Sequence, residues 1–338
     1  MMRSLGPSQR FSRRRFVGYS AASFALSPLL AKAQGTSLLQ GPPPPQPSVQ
    51  PEASKIAATT DKAQHLTIGV QINGRGPFRF VVDTGADRSV IAEDVATSLS
   101  LPRGNRVIVE GVIRAVPADT VKVAQLVVGP VARQNLSVPV LPRSQLMADG
   151  YLGLDVIDRY RVTLDFKNSE LLLSEPFHLP RHLMLLGGWI RPDEVMVPVN
   201  GRFGHLRAFD CAIDHIRAVA FVDTGAEVSV GNSQLFDALA GNDPSYVRQD
   251  TIPLTGVTGG IITGRVTTLK HVRMNALTFV NGKVAIADLQ IFDLWELSDR
   301  PALLIGMNWL RRFSKVSIDY GRKELRFDLA NQAVALNA

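Results

Sequence analysis

Short runs of alternating apolar and polar residues, broken by glycine, dominate the chain from about residue 62 onward. Ile68, Val70 and Ile72 alternate ahead of Asn73-Gly74, which predicts a half-buried strand ending in a tight hairpin turn. Val195, Val197 and Val199 ahead of Asn200-Gly201 predict the same device 127 positions later. Each is followed by an uninterrupted apolar run, Phe80-Val81-Val82 and Ala220-Phe221-Val222, as a buried strand requires. Both runs end on Asp-Thr-Gly-Ala, at Asp83–Ala86 and Asp223–Ala226, 140 positions apart. In the first copy the return strand Phe78–Val82 leads straight into Asp83. In the second, an insertion from Phe203-Gly204 to Ile216 is expected to lengthen the hairpin.

The repetition continues to the end of each half. Short helical turns are predicted at Glu93–Leu99 and Ser233–Leu239. Strand-rich stretches punctuated by glycine follow at Val107–Ile113, Val121–Val128 and Leu254–Gly264. The closing units match residue by residue: Leu152-Gly153, Arg159-Tyr160, Val162–Phe166 and Glu170-Leu171 against Ile305-Gly306, Arg312-Phe313, Val316–Tyr320 and Glu324-Leu325. An internal duplication explains so many matched positions. The expected organisation is a lobe at 62–178, a connection at 179–189, a second lobe at 190–330 and a tail at 331–338.

Composition changes the picture mainly at the N-terminus. The net charge of +7 invites a nucleic-acid reading, but residues 1–33 hold six cations and no acid, which leaves 31 basic against 30 acidic residues in the remainder. Arg13-Arg14-Arg15 ahead of an apolar run to Leu30, and then Ala31-Lys32-Ala33, predict a twin-arginine-type export signal over 1–33 and hence a periplasmic protein. The apolar run is short for a membrane span, so no stable span is expected once the leader is removed. Residues 34–61 are expected to form a linker, with six prolines between Gly41 and Pro51. The one cysteine, Cys211, has no intramolecular disulfide partner and sits among apolar neighbours, which predicts burial.

The twice-repeated apolar-apolar-Asp-Thr-Gly-Ala, the glycine-bearing hairpins and the apolar-Gly closing units resemble the retropepsin-like aspartic peptidases. With both halves in one chain, the arrangement is similar to that of pepsin. The resemblance implies a mostly β fold of two acid-protease β-barrel lobes related by internal duplication, acting as a monomer. It implies catalytic Asp83 and Asp223, with Thr84, Gly85, Thr224 and Gly225 supporting the two loops. Gly153 and Gly306 would lie where the returning strand passes behind each loop. It also implies a flap over the cleft from each half: Gly111, Val112 and Ile113 in one, Gly256, Val257, Thr258 and Gly259 in the other.

The chemistry fits these residues. Two adjacent carboxylates that share one proton supply a base to activate water and an acid to protonate the substrate, so neither a metal nor another cofactor is expected. The expected activity is that of an aspartic endopeptidase acting on extended peptide or protein substrates. The alternative is a catalytically silent peptide-binding or regulatory module that keeps the fold. Asp87 and Glu227 are expected to be solvated or salt-bridged, Asp165 and Asp319 to be structural, and Trp189, Trp295 and Trp309 to line core or cleft. The six histidines form no zinc-binding pattern, and neither a phosphate loop nor a Gly-x-Ser-x-Gly elbow is present.

Overall fold

The strand Leu66–Ile72 buries every second side chain along its length and turns through Asn73 and Gly74, whose φ of 51° and 74° form the left-handed pair that suits a two-residue hairpin. The return strand Arg75–Val82 becomes wholly buried at Phe80, Val81 and Val82, the approach to Asp83. These elements belong to a computed structural model that describes residues 53–61, 65–175, 194–202, 205–247, 250–275 and 277–329. The expected leader, most of the linker, the inter-lobe connection and the tail lie outside the described residues.

The chain is mostly β, in two lobes of one circuit. In the first, Leu66–Ile72 pairs with Arg75–Val82, which runs parallel to Gly150–Leu152. That short strand pairs with Val90–Ala92, then Val131–Leu141, then Ala115–Val128, which returns to Leu66–Ile72 and closes a six-stranded barrel. In the second, the same circuit runs through His205–Ile213, Ile216–Val222, Ala302–Ile305, Val230-Gly231, Leu277–Ile286 and Ile261–Met274 and closes on His205–Ile213. A barrel leaves no unpaired sheet edge around its core.

A six-stranded inter-lobe sheet joins the halves. Its order is Glu194–Pro198, Glu324–Leu329, Phe313–Asp319, Arg161–Asp165, Glu170–Ser174, Ser54–Thr60. At its centre Thr163 faces Ser317, its own counterpart in the duplication, with hydroxyl oxygens 2.8 Å apart. Asp165 and Asp319 are buried, and each reaches a cation of the opposite lobe: Lys315 at 2.9 Å and Arg161 at 2.9 Å. Each also caps its own hairpin, accepting the backbone N–H of Asn168 and of Arg322. They are structural, as expected.

Two expectations change. Val195–Gly201 does not repeat the hairpin of Ile68–Gly74. Glu194–Pro198 is an edge strand of the inter-lobe sheet, and Asn200-Gly201 pairs with Arg207 and Leu206. The true counterpart is His205–Ile213 with Ile216–Val222, so the supposed insertion is the repeated hairpin itself. Its turn is Asp214-His215, at φ 44° and 73°, a pair that carries no glycine and reads weakly as a turn. The Asp214 carboxylate compensates by accepting the backbone N–H groups of Lys270 and His271 and the Tyr246 hydroxyl. The second change follows from the first. The N-terminal counterpart of Glu194–Pro198 is Ser54–Thr60, so that lobe starts inside the span assigned to the linker. Cys211 is buried, as expected.

Candidate active site

Each acid sits where a buried strand stops pairing. Val82 and Val222 are the last residues of their strands to pair with Leu152 and Ile305. The backbone N–H groups of Asp83 and Asp223 still reach the carbonyls of those partners, both at 3.0 Å. The chain then turns, and Gly85 and Gly225 donate their N–H to Oδ1 of their own Asp at 2.9 and 2.8 Å. No larger residue fits either glycine. A Cβ on Gly85 would lie 2.6 Å from Cγ of Asp223, and one on Gly225 would lie 2.5 Å from Cγ of Asp83. Each loop therefore lets the other's carboxyl group approach its backbone.

Thr84 and Thr224 fasten the loops together. The Thr84 N–H donates to Thr224 Oγ1 at 3.1 Å, and the Thr224 N–H donates to Thr84 Oγ1 at 3.2 Å. Thr224 Oγ1 also donates to the Val82 carbonyl at 2.6 Å. Both side chains are buried, so these bonds form without competition from water.

Each carboxyl group packs against the other loop's glycine, which brings the two acids together. Burial, and then the charge of Asp223, push Asp83 well above the ordinary carboxylate value; the N–H groups of Gly85 and Ala86 pull the other way and do not prevail. Asp223 is 5% exposed. Two acids this close titrate as a pair and favour the form that carries one proton.

Behind each loop lies a support that the motif did not advertise. Ser89 donates through N and Oγ to Asp155 Oδ1, while its Oγ accepts the Gly153 N–H. Ser229 does the same with Asn308 and Gly306. Gly153 and Gly306 pass so close to the loops that a Cβ would meet the carbonyls of Ala86 and Ala226 at 2.8 Å. The signal was present in the duplication: a serine six positions after each acid and a polar side chain two after each glycine.

The expected flap residues of the two halves meet each other. Gly111–Arg114 joins the strands Arg103–Glu110 and Ala115–Val128, and Gly256–Gly260 joins Asp250–Thr255 to Ile261–Met274. Thr258 Oγ1 donates to the Arg114 carbonyl at 2.7 Å, and Arg114 Nε donates to the Thr258 carbonyl at 3.1 Å. Arg114 follows the expected flap residues in the same stretch, and only the tertiary contact singles it out. A Cβ on Gly111 would fall 2.1 Å from Thr258 Oγ1, so the interlock requires glycine there.

Residues 68–156 match the family model described as aspartyl protease. Over these residues the N-terminal lobe is similar to an aspartyl protease domain. No curated protein matches the chain. The match takes in Asp83, the first expected flap and Gly153, and the second lobe lies outside it yet repeats its circuit. Among the described residues no cluster of His, Cys, Asp and Glu could hold a metal ion, and no helix is long and apolar enough to cross a membrane.

Proposed function

We propose that the chain is an aspartic endopeptidase that hydrolyses extended peptides, with Asp83 and Asp223 as the catalytic pair. The observation that carries this reading is the mutual approach of the two carboxyl groups, each packed against the other loop's glycine at the end of a matched strand. Sharing one proton between two such acids is the behaviour that defines aspartic proteases. The ionised carboxylate takes a proton from a water as its oxygen bonds to the peptide carbonyl carbon, and the protonated partner gives its proton to the carbonyl oxygen. The resulting diol collapses: one hydroxyl returns its proton to the ionised carboxylate as the carbonyl re-forms, the C–N bond breaks, the nitrogen takes the proton of the other carboxyl, and the acid and amine products leave with the pair again carrying one proton. An extended substrate would lie between the loops and the flaps and bind partly through backbone hydrogen bonds.

Asp83→Asn and Asp223→Asn, each purified and checked for native near-ultraviolet circular dichroism, should each lose peptide cleavage by at least about a thousandfold, the scale expected when a member of a cooperating pair is removed. Turnover near wild type in either variant overturns the reading. The leader composition supports export to the periplasm. Changing Arg14 and Arg15 together to Lys should leave the full-length precursor in the cytoplasmic fraction, and unchanged fractionation would refute the twin-arginine route.

A further inference from the structure

The duplication sets up a comparison across the cleft. At some matched positions one lobe is apolar and the other polar or cationic. On the C-terminal side, Ala226 and Val228 of the Asp223 loop pack against an apolar cluster separate from the main core, which includes Phe221, Phe292 and Trp295. The Phe221 ring lies edge-on to Trp295, with centroids 4.3 Å apart. The tip of the first flap, Val112 and Ile113, covers the same cluster, and the Val112 carbonyl accepts the Ile291 N–H at 3.4 Å. One continuous apolar wall therefore runs from the acid's loop to the tip of the first flap.

On the N-terminal side the matched positions differ. Arg88, five residues after Asp83, stands where Val228 stands after Asp223, and its side chain is exposed. Thr258, two residues after its tip glycine, stands where Ile113 stands. Gln145 comes from the short helix Arg143–Leu146 of the N-terminal lobe. Its Nε2 and the Arg114 Nη2 converge on Gly259 of the second flap, 3.0 and 2.7 Å from the position a Cβ would take there. Asp87 and Glu227 are counterparts and do not separate the two sides. Glu110, however, is held against the C-terminal lobe by the Gln290 amide at 2.6 Å. The N-terminal side thus gains two guanidinium groups, Arg88 and Arg114, and one carboxylate, Asp155, which Arg88 faces and which the other lobe replaces with Asn308; the C-terminal side gains Glu110.

We propose that this asymmetry selects peptides that set a bulky apolar side chain against the C-terminal lobe and an acidic side chain against the N-terminal lobe, where Arg88, Arg114 and Gln145 receive it. The inference rests on the endopeptidase reading for its cleft. The matched apolar wall accepts a side chain by burial and rejects a carboxylate by desolvation. The cationic corner does the reverse, so one peptide direction is favoured over the other.

The test is a set of octapeptides that differ only by Glu or Gln at one position at a time, cut by wild type, Arg88→Val and Arg114→Gln. Wild type should prefer Glu at one position on one side of the cleaved bond by about three- to tenfold in kcat/KM, the scale of a partly screened ion pair. The ratio should fall toward one in Arg88→Val, the residue the other lobe uses, and shrink in both variants and in high salt. Equal cleavage of Glu and Gln peptides at every position, or a preference unchanged in both variants, overturns the proposal. If wild type cuts none of the peptides, the endopeptidase reading fails on its own. The dissociation constants of the same Glu and Gln peptides then decide: a preference lost in Arg88→Val upholds the asymmetric cleft, while equal or undetectable binding overturns it.

Discussion

Thr84 and Thr224 each accept the other's backbone N–H, so the two acid-bearing loops are bonded to each other and not only to their own lobes. Only a two-lobed arrangement that brings residues 140 positions apart into contact can make this clasp, and it couples inter-lobe packing to the spacing of Asp83 and Asp223.

The clasp is unequal, which makes Thr224 the more sensitive member. Its hydroxyl accepts from Thr84 and donates to Val82, and valine can do neither. Thr224→Val should cost about 3 kcal/mol, since it leaves two backbone groups without partners at roughly 1–3 kcal/mol each. It should also cut kcat/KM by at least about tenfold. Thr224→Ser, which keeps the hydroxyl, should retain most of both. Urea denaturation beside peptide cleavage separates the effects, and a valine variant as stable as wild type would contradict the prediction.

Stability should respond to pH in two opposed ways. Asp83 is raised by burial and by Asp223, so the folded protein binds that proton more tightly than the unfolded chain. Its contribution is full below the unfolded carboxylate pKa of about 3.9 and is lost as pH rises through the folded value. Burial raises Asp165 too, but hydrogen bonds from Lys315 and Asn168 outweigh it and leave the group lowered. Its contribution is present above the unfolded pKa and lost as pH falls through the folded one. The urea midpoint of Asp83→Asn relative to wild type should therefore climb as pH is raised from about 4 to 7. A difference that does not vary with pH would refute the assignment.

The lobes are joined by charge as well as by strand pairing. Asp319 is fully buried, and its Oδ2 accepts both Nε and Nη2 of Arg161, each at 2.9 Å. Arg161→Ala strands that carboxylate and should cost about 3 kcal/mol, at the lower end of the range for breaking a buried pair because Arg161 is partly exposed. Adding Asp319→Asn should restore part of the loss. A double variant no more stable than Arg161→Ala alone would argue against an uncompensated charge as the cause.

Beneath the clasp, the Tyr320 hydroxyl is buried with no partner among the described residues, beside a cavity of about 10 Å³ lined by Thr84, Val222, Ile318 and Leu325. The matched residue in the other lobe is Phe166. Tyr320→Phe removes an unsatisfied polar group and should stabilise the protein by about 1 kcal/mol, a rise of roughly 2–4 °C in melting temperature for a chain of this size. A lower melting temperature by calorimetry would mean that the hydroxyl is satisfied.

Much of the site was legible because the duplication wrote it twice. Asp83 and Asp223, the threonines, the glycines and both flap tips stand in matched local patterns. The hairpin ahead of Asp223 was misplaced because its turn, Asp214-His215, is held by tertiary bonds to Asp214, whereas Asn200-Gly201 carries a strong local turn signal that the sheet overrides. Ser54–Thr60 read as linker because an edge strand of an inter-lobe sheet takes its stability from distant partners, here Leu171–Leu173. Arg114 reads locally as one exposed cation on a loop, and its role at the flap comes from Thr258, 144 positions away.

The sequence by itself determined the repeated unit and where each acid stands within it, since strand alternation, glycine turns and apolar runs act over a few residues. The tertiary structure alone decided that the two acids come together, that each threonine serves the other's loop, that the flaps interlock, and that the walls of the cleft differ. Those outcomes depend on contacts between residues more than a hundred positions apart. Hydrogen bonds and burial at that range exist only once both barrels and the sheet between them have formed.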